Sequence, residues 1–220
     1  MASFFNLILD TLAPSGLTLL LNNGATYATS NTVTASISVE DATTTGYQMK
    51  IWGTKAAATE EKASWETFAA SKSLVLAEGD GLKTVHIKVR DDVGNESAAV
   101  TASITVNTAV PVVTITGPDK SKISKVSGFD VCAFSFTSDV DFVEYTVRVV
   151  PSESSLNTAG TQIPVTGGST NTSGTAGGYK KNTAINVTVN GADLETASSG
   201  DGTKIVKVFV KNAAGTWSVA

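Results

Sequence analysis

Gly79-Asp80-Gly81-Leu82-Lys83-Thr84-Val85-His86-Ile87-Lys88-Val89-Arg90-Asp91-Asp92-Val93-Gly94-Asn95-Glu96-Ser97 is the stretch whose reading decides the fold. Val85, Ile87 and Val89 alternate with Thr84, His86, Lys88 and Arg90, which is the period-two pattern of a strand with one face buried. Asp91 to Asn95 supplies turn residues, Gly94 being free to take a positive φ and Asn95 tolerating one. The pattern returns as Gly200-Asp201-Gly202-Thr203-Lys204-Ile205-Val206-Lys207-Val208-Phe209-Val210-Lys211-Asn212-Ala213-Ala214-Gly215-Thr216-Trp217-Ser218. Gly79, Asp80, Gly81, Lys83, Gly94 and Ser97 answer to Gly200, Asp201, Gly202, Lys204, Gly215 and Ser218 without a gap, at an offset of 121 (204 − 83). The chain therefore carries two copies of one all-β module.

Two copies in 220 residues imply two domains of about 100 residues each. The expected division is a leader over 1–12, one module over 13–108 and a second over 109–220. Hydrophobic residues make up 41% of the chain, enough for two cores, and only 16% are charged. A net charge of −4 and an abundance of Thr, Ser, Gly and Val suit short strands joined by polar turns and give no basic patch for nucleic acid. The single cysteine, Cys132, excludes an internal disulfide. Lying in the apolar run Val131-Cys132-Ala133-Phe134, it reads as a buried, inert thiol.

The leader is apolar at Phe4, Phe5, Leu7, Ile8 and Leu9. No Lys or Arg precedes that run, Asp10 interrupts it and Pro14 follows, so it does not read as a signal peptide. Nor is any apolar stretch long enough to span a bilayer as a helix. It is expected to form a strand that buries itself against the first module or a partner, and it is the candidate assembly contact. Strands are expected over 17–21, 33–39, 47–53, 73–76 and 100–106 in the first module. In the second they fall over 112–117, 131–137, 142–150 and 185–189. Residues 56–71 form the one helix-like stretch, a short helix pinned by Trp65 and Phe68. The Gly/Ser/Thr-rich run 167–178 reads as an insertion forming an exposed loop. Ser97 leads into a last strand over 100–106, whereas only two residues follow Ser218. The second module is thus expected to lack its final strand. An unpaired edge invites a strand from elsewhere. Residues 3–9 of this or a neighbouring subunit are candidates to fill it, with the insertion or the module's first strand as alternative covers.

Chemistry is sparse. Asp91, Asp92, Asn95 and Glu96 offer oxygens that calcium favours, but EF-hand spacing is absent and the second copy has Asn212, Ala213, Thr216 and Trp217 there, so a solvated turn is the simpler reading. His86, the only histidine, falls on the polar face, and no nucleophile elbow or phosphate loop is present. Glu60, Glu61 and Glu66 read as a solvated face rather than a hydrolytic carboxylate pair. No enzyme, cofactor or metal is expected. Phe209 and Trp217 fall where the first copy has Lys88 and Glu96, and are candidates for a surface contact, with covering the insertion or the missing edge as the equal alternative.

The pattern Gly-Asp-Gly-x-Lys-x-Val-x-x-x-Val-Lys/Arg, with its glycine turn and serine, resembles bacterial and phage immunoglobulin-like repeats, over most of 13–108 and less fully over 109–220. The resemblance implies two tandem immunoglobulin-like β-sandwiches, each of two antiparallel sheets packed face to face. It also implies a non-enzymatic role. One reading is a structural or display protein of a tailed-phage virion, in capsid, tail or baseplate, made in the host cytoplasm. It would dock on other virion proteins or copies of itself through the leader, with host-surface glycan or protein as a further partner. The other is an adhesion or carbohydrate-binding module of a bacterial surface.

Overall fold

The computed structural model describes residues 5–40, 46–165 and 178–219. The chain divides into two compact units, Met1–Thr108 and Ala109–Ala220. Strands of the first are β1 (Thr18–Leu21), β2 (Tyr27–Ala28), β3 (Thr32–Ser38), β4 (Gln48–Trp52), β5 (Glu66–Thr67), β6 (Ser71–Val75), β7 (Gly81–Arg90) and β8 (Val100–Val106). The second holds β9 (Val113–Thr116), β10 (Val131–Ser138), β11 (Glu144–Val150), β12 (Thr161–Gln162), β13 (Ile185–Asn190), α1 (Gly191–Ala197) and β14 (Ile205–Lys211). The Gly/Ser/Thr-rich insertion lies outside the described residues, apart from Gly178.

Each unit is a pair of sheets. In the first, β1-β3-β6 faces β2-β8-β7-β4-β5, antiparallel throughout except where β2 runs parallel to β8. Alternation puts Val85, Ile87 and Val89 of β7 inward, all with no exposed surface, against Leu19, Ile37, Met49, Leu74 and Ile104. Full burial of such a side chain is worth about 1.5–3 kcal/mol, and the opposite parity keeps His86, Lys88 and Arg90 on the outer face. In the second unit β9-β10-β13 faces β12-β11-β14. Phe136, Tyr145, Val147, Val187 and Val210 make its core, with Phe136 and Tyr145 tilted at 60° and 5.0 Å between ring centres, a geometry that aromatic quadrupoles favour.

The organising stretch keeps the same geometry in both units. Asp91 N–H donates to Asn95 O at 3.2 Å and Asn212 N–H to Thr216 O at 3.0 Å. The Asp91 and Asn212 side chains accept from the backbone N–H of Asn95 and Thr216, at 2.8 and 2.9 Å. Gly94 and Gly215 sit at φ +94° and +88°, a region costly for residues with a Cβ. Ser97 Oγ then accepts from Val89 N–H at 3.1 Å and Ser218 Oγ from Val210 N–H at 3.2 Å.

One expectation holds in part and two need correction. The helix-like stretch is a single 3-10 turn, Glu60–Lys62, followed by β5. Trp65 therefore lies on the outer face of the sheet while Phe68 packs toward the core, because an extended backbone sends them to different sides. The α-helix lies instead at Gly191–Ala197, where the Asn190 side chain caps it by accepting from Ala192 N–H at 2.8 Å. Third, residues 5–12 form no strand and are fully solvent-facing.

Candidate functional site

In the first unit the first buried residue among those described is Pro14, and Glu40 N–H donates to Ser15 O at 3.0 Å. Upstream of it, among the described residues, Leu12 N–H donates to Asp10 Oδ1 at 3.1 Å and Asn95 Nδ2 donates to Asp10 O at 3.4 Å. Phe5, Leu7, Ile8 and Leu9 are 84–91% exposed, and Leu12 is 80% exposed. Phe4 lies outside the described residues. An apolar set of this size held in water is costly and marks an interaction element.

A second feature lies at an edge of the second unit. In the first unit β7 is paired on both sides, by β4 and by β8. In the second, β14 pairs along its length with β11 and makes a single bridge, Lys211 to Trp217, among the described residues. No strand among the described residues takes the place of β8 or β2. Val210 turns its N–H and C=O toward Ser218. Since successive residues of an antiparallel strand alternate sides, Val208 and Val206 turn theirs the same way, past the reach of the Ser218 staple. Val206 is half-buried, as expected of a core residue at an uncovered edge. Asp80 marks the same difference. Its carboxylate accepts from Thr108 N–H and Oγ1 at 3.0 and 2.8 Å, clasping the residues after β8; Asp201 makes no such clasp.

The Phe209 and Trp217 expectation fails in part. Phe209 does point away from the core, but it is 0% exposed, with Lys207 Nζ 5.2 Å from its ring centre. Trp217 is half-buried and carries Lys211 Nζ at 5.5 Å. The other tryptophans are likewise engaged. Trp52 stacks on His86 at 5.2 Å, and Trp65 packs against Arg90 at 4.5 Å and Lys50 at 5.8 Å. Sequence reasoning passed over Phe129, 70% exposed, and Val126, 64% exposed, on the loop before β10. Gly128 between them, at φ +88°, was the available signal of a turn that turns its neighbours outward.

The polar candidates are consumed locally. Both carboxylate oxygens of Asp91 accept from Asn95, and one also from Val93 N–H. Burial raises that carboxyl, but the bonds from the Asn95 side chain and the Asn95, Val93 and Gly94 backbone outweigh it, leaving it below the ordinary carboxylate value. Glu60 pairs with Lys88 at 2.9 Å and Glu66 with Lys72. The Lys88 ammonium is raised chiefly by its bond to Glu60, against a smaller burial effect. Cys132 is buried, and burial pushes its thiol up, away from the reactive thiolate. Among the described residues no three His, Cys, Asp or Glu are grouped to hold a metal, and no helix is long and apolar enough to cross a membrane.

No protein-family model matches the chain, and no curated protein matches it in sequence. Solved structures align with it only at low identity and low TM-score. The fibronectin(III)-like modules of Clostridium thermocellum CbhA align at TM-score 0.46 and 12% identity, over 92% of this chain and 90% of that one. The D00-D0 domain of intimin aligns at 0.30 and 14%, over 92% and 96%. The chitinase ChiA74 of Bacillus thuringiensis aligns at 0.33 and 12%, over 92% of this chain but 30% of the enzyme. At these TM-scores the likeness carries no argument; the all-β assignment rests on the strand order above.

Proposed function

We propose that this chain is a non-enzymatic structural and display protein, attached to a larger assembly by its N-terminal apolar segment and presenting two immunoglobulin-like domains. The observation that carries it is the exposure of Phe5, Leu7, Ile8, Leu9 and Leu12 beside cores that are otherwise well buried. A segment of this kind gains by burial at about 25 cal/mol per Å² only when a partner arrives. The assembly we infer is a tailed-phage virion, supported by the resemblance of the Gly-Asp-Gly repeats to phage immunoglobulin-like modules. The adhesion alternative draws support from Val126 and Phe129, which offer an apolar display surface on the second unit. A glycan platform is less favoured, because all three tryptophans already carry a side chain against the ring.

The test is a triple substitution, Phe5→Ser with Leu7→Ser and Leu9→Ser. The thermal melt should be unchanged, while association, read by size-exclusion chromatography with light scattering, should be lost. Association that survives the triple substitution would sink the reading.

A further inference from the structure

We infer that the turn before β10 docks the second unit onto an anionic lipid surface, with Val126 and Phe129 entering the headgroup layer and the lysines beside them meeting its phosphates. The inference uses other residues than the N-terminal docking reading and stands apart from it.

The turn is built to hold apolar side chains outward. Phe129 N–H donates to Val126 O at 2.9 Å, closing a four-residue turn, and Ser124 N–H donates to Phe129 O at 2.9 Å. Gly128, third in that turn, takes the positive φ it needs, +88°. Below the tip Ile123 packs on the core, and Gly191 N–H at the start of α1 donates to Asp130 O at 2.8 Å. A Cβ at Gly191 would fall 2.0 Å from Ser124 O, so loop and helix are seated in close contact. Val126 and Phe129, 64% and 70% exposed, cannot fold back without breaking these bonds. The turn adjoins Val131, the first residue of β10. Tyr179 bridges Phe142 beyond the other end of that strand, and β12 leads Val165 toward the same end. Both flanks of 166–177 are thus remote from the turn, by roughly 20 Å of strand.

Charge selects the occupant. Lys120, Lys122 and Lys125 are all exposed beside the tip, on a chain of net charge −4. The carboxylates of the same loop are turned into the fold. Asp119 accepts from Ala133 N–H at 2.7 Å, and Asp130 from Gly128 N–H at 3.1 Å and Asn190 Nδ2 at 3.4 Å. Asp193 and Glu195 of α1 are half-buried, and Glu195 accepts from Gly200 N–H at 3.2 Å. Lys120 Nζ reaches Val131 O at 3.0 Å, while Lys122 and Lys125 make no ion pair among the described residues. A stable protein interface takes about 800 Å² from each partner, far more than two side chains on a turn present. A lipid surface needs no matching pocket, because each apolar side chain gains by leaving water and each lysine by nearing phosphate.

The probe is vesicles of phosphatidylcholine with about one-third phosphatidylglycerol, beside vesicles of phosphatidylcholine alone, read by co-sedimentation with the full chain. Partitioning should be at least about tenfold stronger onto the anionic vesicles, and about 0.5 M NaCl should remove most of that preference. Phe129→Ser, and separately Lys122→Gln with Lys125→Gln, should each weaken it about tenfold or more. These side chains are exposed, so the thermal melts should match the parent. Phe5→Ser with Leu7→Ser and Leu9→Ser should leave the anionic preference in place.

Partitioning untouched by both tip variants would overturn the inference. Loss through the N-terminal serine substitutions alone would also overturn it, assigning lipid contact to the leader. A full chain that ignores both kinds of vesicle would overturn the lipid occupant, and if Phe129→Ser then abolished self-association the tip would be a protein contact instead. The N-terminal docking reading is tested without vesicles, so either can fail alone.

Discussion

Ser97→Ala should destabilise the first unit by an amount set by one orphaned N–H group. Val89 is completely buried, and its N–H donates to Ser97 Oγ at 3.1 Å because β8 stops two residues short of it. Ser97 Oγ also donates to Ala98 O at 3.0 Å, but Ala98 is exposed and water replaces that bond. The loss is therefore the desolvation penalty of a single buried donor, about 1–3 kcal/mol. With a urea slope near 2 kcal/mol per molar for a domain of this size, the midpoint should fall by about 0.5–1.5 M. Trp52 and Trp65 report on the first unit, and a Trp217→Phe background silences the second. Ser218→Ala should do the same to the second unit, followed through Trp217. A Ser97→Ala midpoint within error of the parent would refute the staple as a structural element.

Acid should act on the two turns differently. Asp91 has a folded-state value below its unfolded one, so its contribution is present above about pH 4 and is lost as pH falls through the folded value. Asn212 stands at the equivalent place and does not titrate; Asp91→Asn should flatten the acid limb of the first unit's urea midpoint between pH 7 and roughly pH 2.5, and an unchanged limb would contradict the assignment. Phe209→Ala should cost about 3–5 kcal/mol in the second unit, and Trp217→Ala less; a neutral Phe209→Ala would restore it to the surface. At Gly53, φ +85°, a Cβ would fall 2.1 Å from Thr84 O, whereas at Gly94, φ +94°, it would meet open space. Gly53→Ala should cost at least about 2 kcal/mol and Gly94→Ala about 1, measured by thermal melts, and equal costs would contradict the contact.

The repeat made most of the fold legible, because period-two alternation bounded by Gly and Asp turns is a strong local signal. β3, β4, β7, β8, β10, β11 and β13 fall where alternation places them. The two-residue strands β2, β5 and β12 were not legible, since two residues carry no period. Residues 56–71 misled because Ala, Glu and Lys favour helix, while the sheet edge at Gln48 and Met49 captured Glu66 and Thr67 instead. α1 was hidden by its length, and by Gly191, which is required because a Cβ there would fall 2.0 Å from Ser124 O. Of the candidate site, the apolar character of the leader was legible in Phe5, Leu7, Ile8 and Leu9, and its exposure was not, since the pattern predicted a buried strand. The burial of Phe209 was not, because parity tells which side of a sheet a residue takes and not what covers that side.

Sedimentation equilibrium of the full chain beside one lacking residues 1–12, over a hundredfold range of concentration, tests the central claim most directly. The account requires the full chain to gain mass with concentration and the shortened chain to stay a folded monomer, with its thermal melt unchanged. Two chains of matching behaviour, both monomeric or both assembled, would contradict it.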